Sequence, residues 1–340
     1  MVGIHDVALR AGVSSATVSR ALSGAARVSP ATRERVMDAV AELGYVTSSS
    51  ASSLATGRTR VVGVVIPFLN RWYYGEVLEG VQEALFHHGY DLAVYNLASS
   101  GSDRARVFEQ FLPRKRVDAV IAVSLELTPD EIGRLISVGK PLVAVGGPLP
   151  GVHTLGIDDV GYARMATEHL LGLGHTRIAH LGASLDSVAD FHLPTNRRRG
   201  YEDALRDAGI EPDPELFRAA DFTMRNGYQV AKQLLGRSAN RPSAIFAASD
   251  EMAFGVMLAA RDLGIHVPSE LSVIGIDDHA DAEFFGLTTI AQYPHSQGSR
   301  AVEVLMDQLR GDGGRPDALN TPIPFELVVR SSTSRPGGPI

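Results

Sequence analysis

Apolar positions along this chain follow one rhythm before residue 60 and another after it. Over residues 4–44 they recur at helical spacing. Ile4, Val7, Ala8 and Ala11 share one face, and Gly12 breaks the pattern. Ser14 is placed to N-cap a second segment, in which Val18 and Leu22 (i, i+4) face inward. Ser29 can cap a third, with Pro30 at its first position, Val36, Val40 and Leu43 inside, and Gly44 at its end. Three short helices are therefore predicted. Residues 46–60, "VTSSSASSLATGRTR", carry no period and read as a polar, low-complexity linker.

From Val61 onward short β-branched runs alternate with amphipathic stretches. "VVGVVI" precedes a helix carrying Val77, Leu78, Val81 and Leu85. "DLAVY", "DAVIAV", "PLVAV", "RIAHLG", "SAIFA" and "LSVIGI" follow, with helical stretches between most of them. Runs that are apolar throughout belong to parallel sheets covered on both faces. A stretch of this length suits two doubly wound subdomains better than one sheet. No apolar heptads follow the last strand, "PFELVVR", and "SSTSRPGGPI" reads as a disordered tail. Without heptads there is no helical bundle to build a tetramer, so a dimer is expected.

Composition adds three constraints. The 340 residues are 44% hydrophobic, which is ordinary for a globular chain with a substantial core. Cysteine is absent, so disulfide and thiol chemistry are excluded. No apolar run approaches bilayer length and "MVGIHDVALR" has no apolar signal region, so a cytoplasmic protein with no membrane partner is expected. The net charge is −7, yet residues 1–60 carry 7 Arg against 4 acidic groups. A basic head on an acidic body points to a polyanion met by the head alone.

A helix, a turn containing Gly12 and Val13, and a second short helix make a helix-turn-helix, whose second helix enters the major groove of double-stranded DNA. Its outward residues are Ser15, Ala16, Ser19 and Arg20. Arg20 can present its fork to guanine O6 and N7, and Ala16 can touch a thymine methyl. Ser14, Thr17, Ser19 and Ser29 can hold phosphates. These residues, in "HDVALRAGVSSATVSRALSG", resemble the N-terminal signature of the LacI/GalR family of bacterial transcription regulators. "TLGIDDVGYARMATEHLLGLGHTRIAHLG", "RRRGYEDAL", "SAIFAASDEMAFGVMLAARDLGIHVPSELSVIGIDD" and "ELVVRSST" extend the resemblance to roughly residues 4–334.

The resemblance implies an all-α helix-turn-helix headpiece (1–45), a hinge (46–60) and an α/β core (61–340) of two doubly wound parallel-sheet subdomains, like a periplasmic binding protein. The N-terminal subdomain is expected at about 61–160 and 290–322, the C-terminal one at about 161–289 and 323–335, with 336–340 a disordered tail. It also implies a homodimer on a near-palindromic operator and a small-molecule effector. Leu54 matches a leucine that wedges into the minor groove. Around it Thr47, Ser48 and Ser52 replace the family's proline, asparagine and arginine. So serine-rich a hinge is expected to order only on DNA.

Ligands of such folds sit beyond the carboxyl ends of the strands. That rule and the resemblance together nominate Trp72, Tyr73, Tyr74, Ser184, Arg197, Phe222, Ser249 and Asp277. Tyr73 and Tyr74 match two family aromatics, while Arg71 and Trp72 stand in place of an asparagine and a proline. Gly146 and Gly147 stand where relatives carry an Asp-Arg pair. Aromatic faces with the charged pair Arg197 and Asp277 point to a saccharide. Other roles stay open for some of the neighbours. Tyr73 suits the core as well as a pocket, Asp278 can brace a loop, and Asp250 reads as the N-cap of the next helix.

An enzyme is not expected, and no cofactor or metal is implied. There is no H-E-x-x-H, Walker A or G-x-S-x-G motif, and "GGPLPG" is too short to cradle a phosphate. His87 and His88 read as solvated and His175 as structural. A ligand-responsive DNA-binding regulator, most simply a repressor, fits best. The alternatives are a solute-binding protein of the same core, which has no use for residues 4–44, and a sugar-modifying enzyme, which needs an acid/base pair in the cleft that these residues do not supply. Inducer and co-repressor are both compatible with this architecture.

Overall fold

Gly12 ends the first helix by taking a left-handed conformation (φ 65°), which turns the chain into the second. In a computed structural model of the protein, α1 spans Ile4–Ala11, α2 Ser15–Leu22 and α3 Pro30–Leu43. The structure describes residues 2–22, 28–45, 57–97, 101–111, 116–125, 127–137, 139–183, 192–236, 240–311 and 320–337. The Ser14 hydroxyl accepts from the Thr17 N–H at 3.2 Å and the Ser29 hydroxyl from the Thr32 N–H at 3.3 Å, so both serines cap as their positions predict. Val7, Val18 and Val36, one from each helix, are fully buried and form the centre of the headpiece core. Leu54 lies outside the described residues.

Residues 61–340 form the second unit. Its first half runs β1 (Val61–Ile66), α4 (Trp72–His87), β2 (Asp91–Asn96), α5 (Gly101–Arg106), β3 (Ala119–Val123), α6 (Pro129–Ser137), β4 (Leu142–Gly146) and β5 (His153–Gly156). Its second half runs α7 (Asp159–Gly172), β6 (Ile178–Ala183), α8 (Leu193–Asp207), β7 (Phe217–Ala220), α9 (Met224–Leu235), β8 (Ala244–Ala247), α10 (Asp250–Asp262), β9 (Ser272–Asp277), α11 (Ala282–Phe285) and β10 (Thr288–Ala291). The chain then returns through α12 (Pro294–Arg310) and β11 (Asn320–Pro322) to the first half, and ends on β12 (Glu326–Val328) in the second.

Two six-stranded sheets result, ordered β11-β5-β4-β3-β1-β2 and β12-β10-β9-β8-β6-β7. Every pairing is parallel except β12 against β10. The central strands β1, β3, β8 and β9 are buried almost throughout, as their unbroken apolar runs require. Helices pack on both faces: α12 lies against α4 in the first half, α7 against α8 and α9 against α10 in the second. The chain passes between the sheets around residues 157, 292 and 324, which brings the carboxyl ends of both sets of strands to one cleft.

The carboxyl-terminal segment differs from its reading as a disordered tail. Ser332 is buried; its hydroxyl donates to the Val273 carbonyl at 2.6 Å and accepts from the Thr288 N–H at 2.8 Å. His175 bridges the Ser243 and Ser272 hydroxyls and meets the Ser334 carbonyl at 2.9 Å. Backbone pairing to a buried sheet, which hydroxyl-rich composition does not reveal, holds residues 331–334.

Candidate functional site

The headpiece offers one face of α2. Ala16 and Arg20 are exposed and four residues apart, so they share a helical face, with Val18 turned to the core. Ser15 and Ser19 are half-buried, and the Ser15 hydroxyl meets His5 Nδ1 at 3.1 Å. Ser14 and Thr17 bond each other at 2.9 Å at the start of α2. Ser29 lies at the start of α3, where it also donates to Thr32. Small hydroxyl residues at the front of α2 and a guanidinium one turn further along are what a groove reader needs.

The cleft of the second unit encloses a cavity of about 320 Å³. Its walls come from the loops after the strands: Phe68, Arg71, Tyr73 and Tyr74 after β1, Ser124 after β3, Phe222 after β7, Ser249 and Glu251 after β8, Asp277 at the end of β9 and Gln292 after β10. Arg197 reaches it from α8. Of the expected residues, Tyr73, Tyr74, Arg197, Phe222, Ser249 and Asp277 are brought together here. Ser184 lies outside the described residues. Trp72 does not line the cavity: its ring turns onto His279, with centroids 4.6 Å apart. As the first residue of α4 it is rotated away from Tyr73.

Backbone strain marks the same place. Ser124 (φ 43°), Phe222 (φ 59°) and Asp277 (φ 137°) are non-glycine residues held at positive φ, and all three line the cavity. Conformations this costly persist where the surrounding fold over-determines them, and they gather at ligand sites. Gly146 (φ 120°) brings β4 against Ser124, where a Cβ would stand 3.3 Å from the Ser124 Cα. A side chain there would press on Ser124 and strain the backbone.

The charges are arranged differently from the simple pair Arg197 and Asp277. Arg197 Nε donates to Asp159 at 2.8 Å, and Arg197 also donates to the Ala248 carbonyl. Asp277 instead accepts from the Gln292 amide. Burial pushes the Asp277 carboxyl up to about 7 against the opposing pull of Arg197 and Gln292. Burial likewise raises Asp159, with Arg197 opposing it. The Tyr73 hydroxyl donates to Gln297 at 2.7 Å, and burial raises its pKa. Asp250 is not the cap of α10; Ser249 is, accepting from the Met252 N–H at 3.3 Å. Asp250 is the next residue, fully buried, and accepts from Thr289 Oγ1 at 2.7 Å and the His279 N–H at 2.9 Å. It braces the ends of β9 and β10. Asp278 does brace a loop, through Arg330 at 2.7 Å.

A reader helix and a two-sheet cleft in one chain have counterparts among known proteins. The model of the bacterial regulatory proteins of the lacI family matches residues 3–48, and that of the periplasmic binding protein-like domain matches residues 167–333. The HTH-type transcriptional regulator CelR of Thermobifida fusca is 36% identical, over 97% of this chain and 97% of its own. The chain belongs to the LacI family. It is a DNA-binding transcription regulator with a ligand-binding core. A solved complex of the regulator CelR with cellobiose is 32% identical, with a TM-score of 0.71 over 98% of this chain and 100% of that one. The lac repressor dimer bound to operator and the anti-inducer ONPF is 28% identical, with a TM-score of 0.85 over 98% and 99%.

Several cavity residues of this LacI-family regulator escaped the sequence reading: Arg71, Ser124, Glu251 and Gln292. Ser124 and Gln292 follow strands directly, so the strand-end rule reaches both once β3 and β10 are placed. Arg71 and Glu251 also follow strands, β1 and β8, beside the nominated Trp72 and Ser249. Among the described residues no helix is long and apolar enough to cross a membrane.

Proposed function

We propose that this regulator is a repressor that occupies a near-palindromic operator as a homodimer, and that a saccharide in the cleft controls the occupancy. The lining of the cavity carries the reading. Rings from Phe68, Tyr73 and Phe222 offer apolar faces for sugar C–H groups, while Arg197 and Asp277 set charged groups in the cavity wall for hydroxyls. The likeness to a regulator solved with cellobiose supports the same class of ligand. A ligand held by both sheets changes how they stand to each other, and linkage makes it shift DNA affinity by the factor that DNA shifts its own, typically ~1–3 kcal/mol.

The second copy has a place to bind. Phe284 is 87% exposed and lines an apolar groove with Met257, Leu258, Ile265 and Phe285. A patch of this kind on a small molecule is ordinarily covered, and the lac repressor relative is a dimer. The chain acts by binding, a reading that its likeness to transcriptional regulators supports. An operator as partner places it in the bacterial cytoplasm.

Gel shift against palindromic fragments, with a saccharide library screened in parallel by thermal shift, tests the reading. A saccharide that raises the melting temperature and also changes the gel shift is expected, because a ligand of the native state stabilises by mass action; the direction of the change separates inducer from co-repressor. Operator binding that no saccharide alters would overturn the effector assignment.

A further inference from the structure

Two adjacent residues of the β1–α4 loop reach across the cleft. Arg71 Nη2 donates to the Asp221 carbonyl at 2.6 Å, and Nη1 reaches the Phe222 carbonyl at 3.5 Å. Both acceptors lie just after β7, in the opposite half of the core. The Trp72 ring lies on His279, which follows β9 in that same half. The Trp72 backbone N–H hydrogen-bonds the Glu251 carboxylate at the start of α10. The Arg71 guanidinium is also held from its own side, 5.5 Å from the Phe68 ring centroid.

These contacts sit at the rim. Arg71, Phe222 and Glu251 are half-buried and Asp221 is exposed, whereas Ser124, Arg197, Asp277 and Gln292 at the floor are buried. Each contact joins one half of the core to the other, so the cleft cannot widen at this rim without breaking them. Because residues 71 and 72 are neighbours, the hydrogen bonds and the ring stack yield to a single displacement of the loop. A guanidinium fork serves two carbonyls at once, which an ammonium does not do with the same geometry.

We propose that Arg71 and Trp72 form a clasp across the mouth of the cleft, and that an effector reaches Asp277 and Arg197 only when this clasp opens. The clasp sets the rate at which ligand enters and leaves. The inference rests on the cleft being the effector site, but its test needs no effector, so the two stand or fall separately.

The chain has no cysteine and a single tryptophan, which is Trp72 itself. Ser124→Cys therefore places a unique thiol on the cavity floor, and its alkylation by iodoacetamide reports access. Arg71→Ala in this background should raise the labelling rate about tenfold, the effect of losing one charge-assisted bond from the closed state. Arg71→Lys should fall between. Acrylamide quenching of Trp72 emission should rise in the same order. Ala183→Cys repeats the measurement at the end of β6 should Ser124→Cys fail to fold. Labelling that does not depend on residue 71 overturns the clasp.

Discussion

Arg197 donates to Asp159 at 2.8 Å, and both side chains are almost wholly withdrawn from solvent. The guanidinium that faces the cavity is thus also the counter-charge of a buried carboxylate on α7. A ligand contact and a packing contact share one side chain. The buried pair binds α7 to α8, whose close approach Gly200 permits by lying against the Val160 carbonyl.

Arg197→Ala should therefore have two effects. It should abolish the ligand response, and it should destabilise the core by about 3–5 kcal/mol, the usual cost of leaving a buried charge unpaired. Arg197→Ala combined with Asp159→Asn should recover most of the stability and none of the response. Urea unfolding and gel shift with ligand read the two separately. A single variant as stable as the wild type would show that Asp159 is neutral or hydrated in the folded protein.

Asp277→Asn should reveal a pH dependence. Burial raises the Asp277 carboxyl to about 7, above its value of about 3.9 in an unfolded chain. A raised folded-state pKa means that the folded state binds the proton more tightly. The stabilisation is present at acid pH and is lost as pH rises through about 7. Asparagine mimics the protonated acid and does not titrate. The variant should match the wild type near pH ~4, where the unfolded carboxyl is protonated too, and exceed it progressively up to pH ~8 by on the order of 4 kcal/mol. Thermal melts across that range check it, and a difference independent of pH would place the Asp277 pKa near its ordinary value.

Sequence pattern reached much of this architecture for a physical reason. The runs "VVGVVI", "DAVIAV", "SAIFA" and "LSVIGI" are buried on both faces, so their composition alone declares them central parallel strands. The strands β5, β7, β10 and β11 are three or four residues long and were not legible from local pattern; they exist because a neighbour offers hydrogen bonds. The same limit applies to the site. Tyr73, Phe222 and Asp277 follow strands and could be nominated, whereas the pairing of Arg197 with Asp159 joins residues 38 apart and needs the packing of two helices.

Arg20→Ala should relax base preference at one position in each half-site, costing about 1–3 kcal/mol there while leaving binding to unrelated DNA nearly unchanged. Arg20 is exposed on the α2 face opposite Val18, so the headpiece core is not touched. Competition between operator and scrambled fragments at fixed salt measures the ratio. An unchanged ratio would assign Arg20 to a phosphate.

Phe284→Asp should convert the dimer to a monomer. Phe284 stands out on α11 beside Met257 and Leu258 of α10, in a groove that Arg261 and His266 also line. In a two-fold contact each residue is buried twice, so one substitution places two carboxylates in the interface. Sedimentation at micromolar concentration should show a dominant dimer for the wild type and a monomer for the variant. Operator affinity should fall by about 10²-fold or more, because two half-sites are then engaged independently and the effective concentration of the second headpiece is lost. The thermal shift with a cleft ligand should survive, since Phe284 lies outside the cavity. A variant that stays dimeric would show that another face joins the subunits, and a wild-type tetramer would show a further contact between dimers.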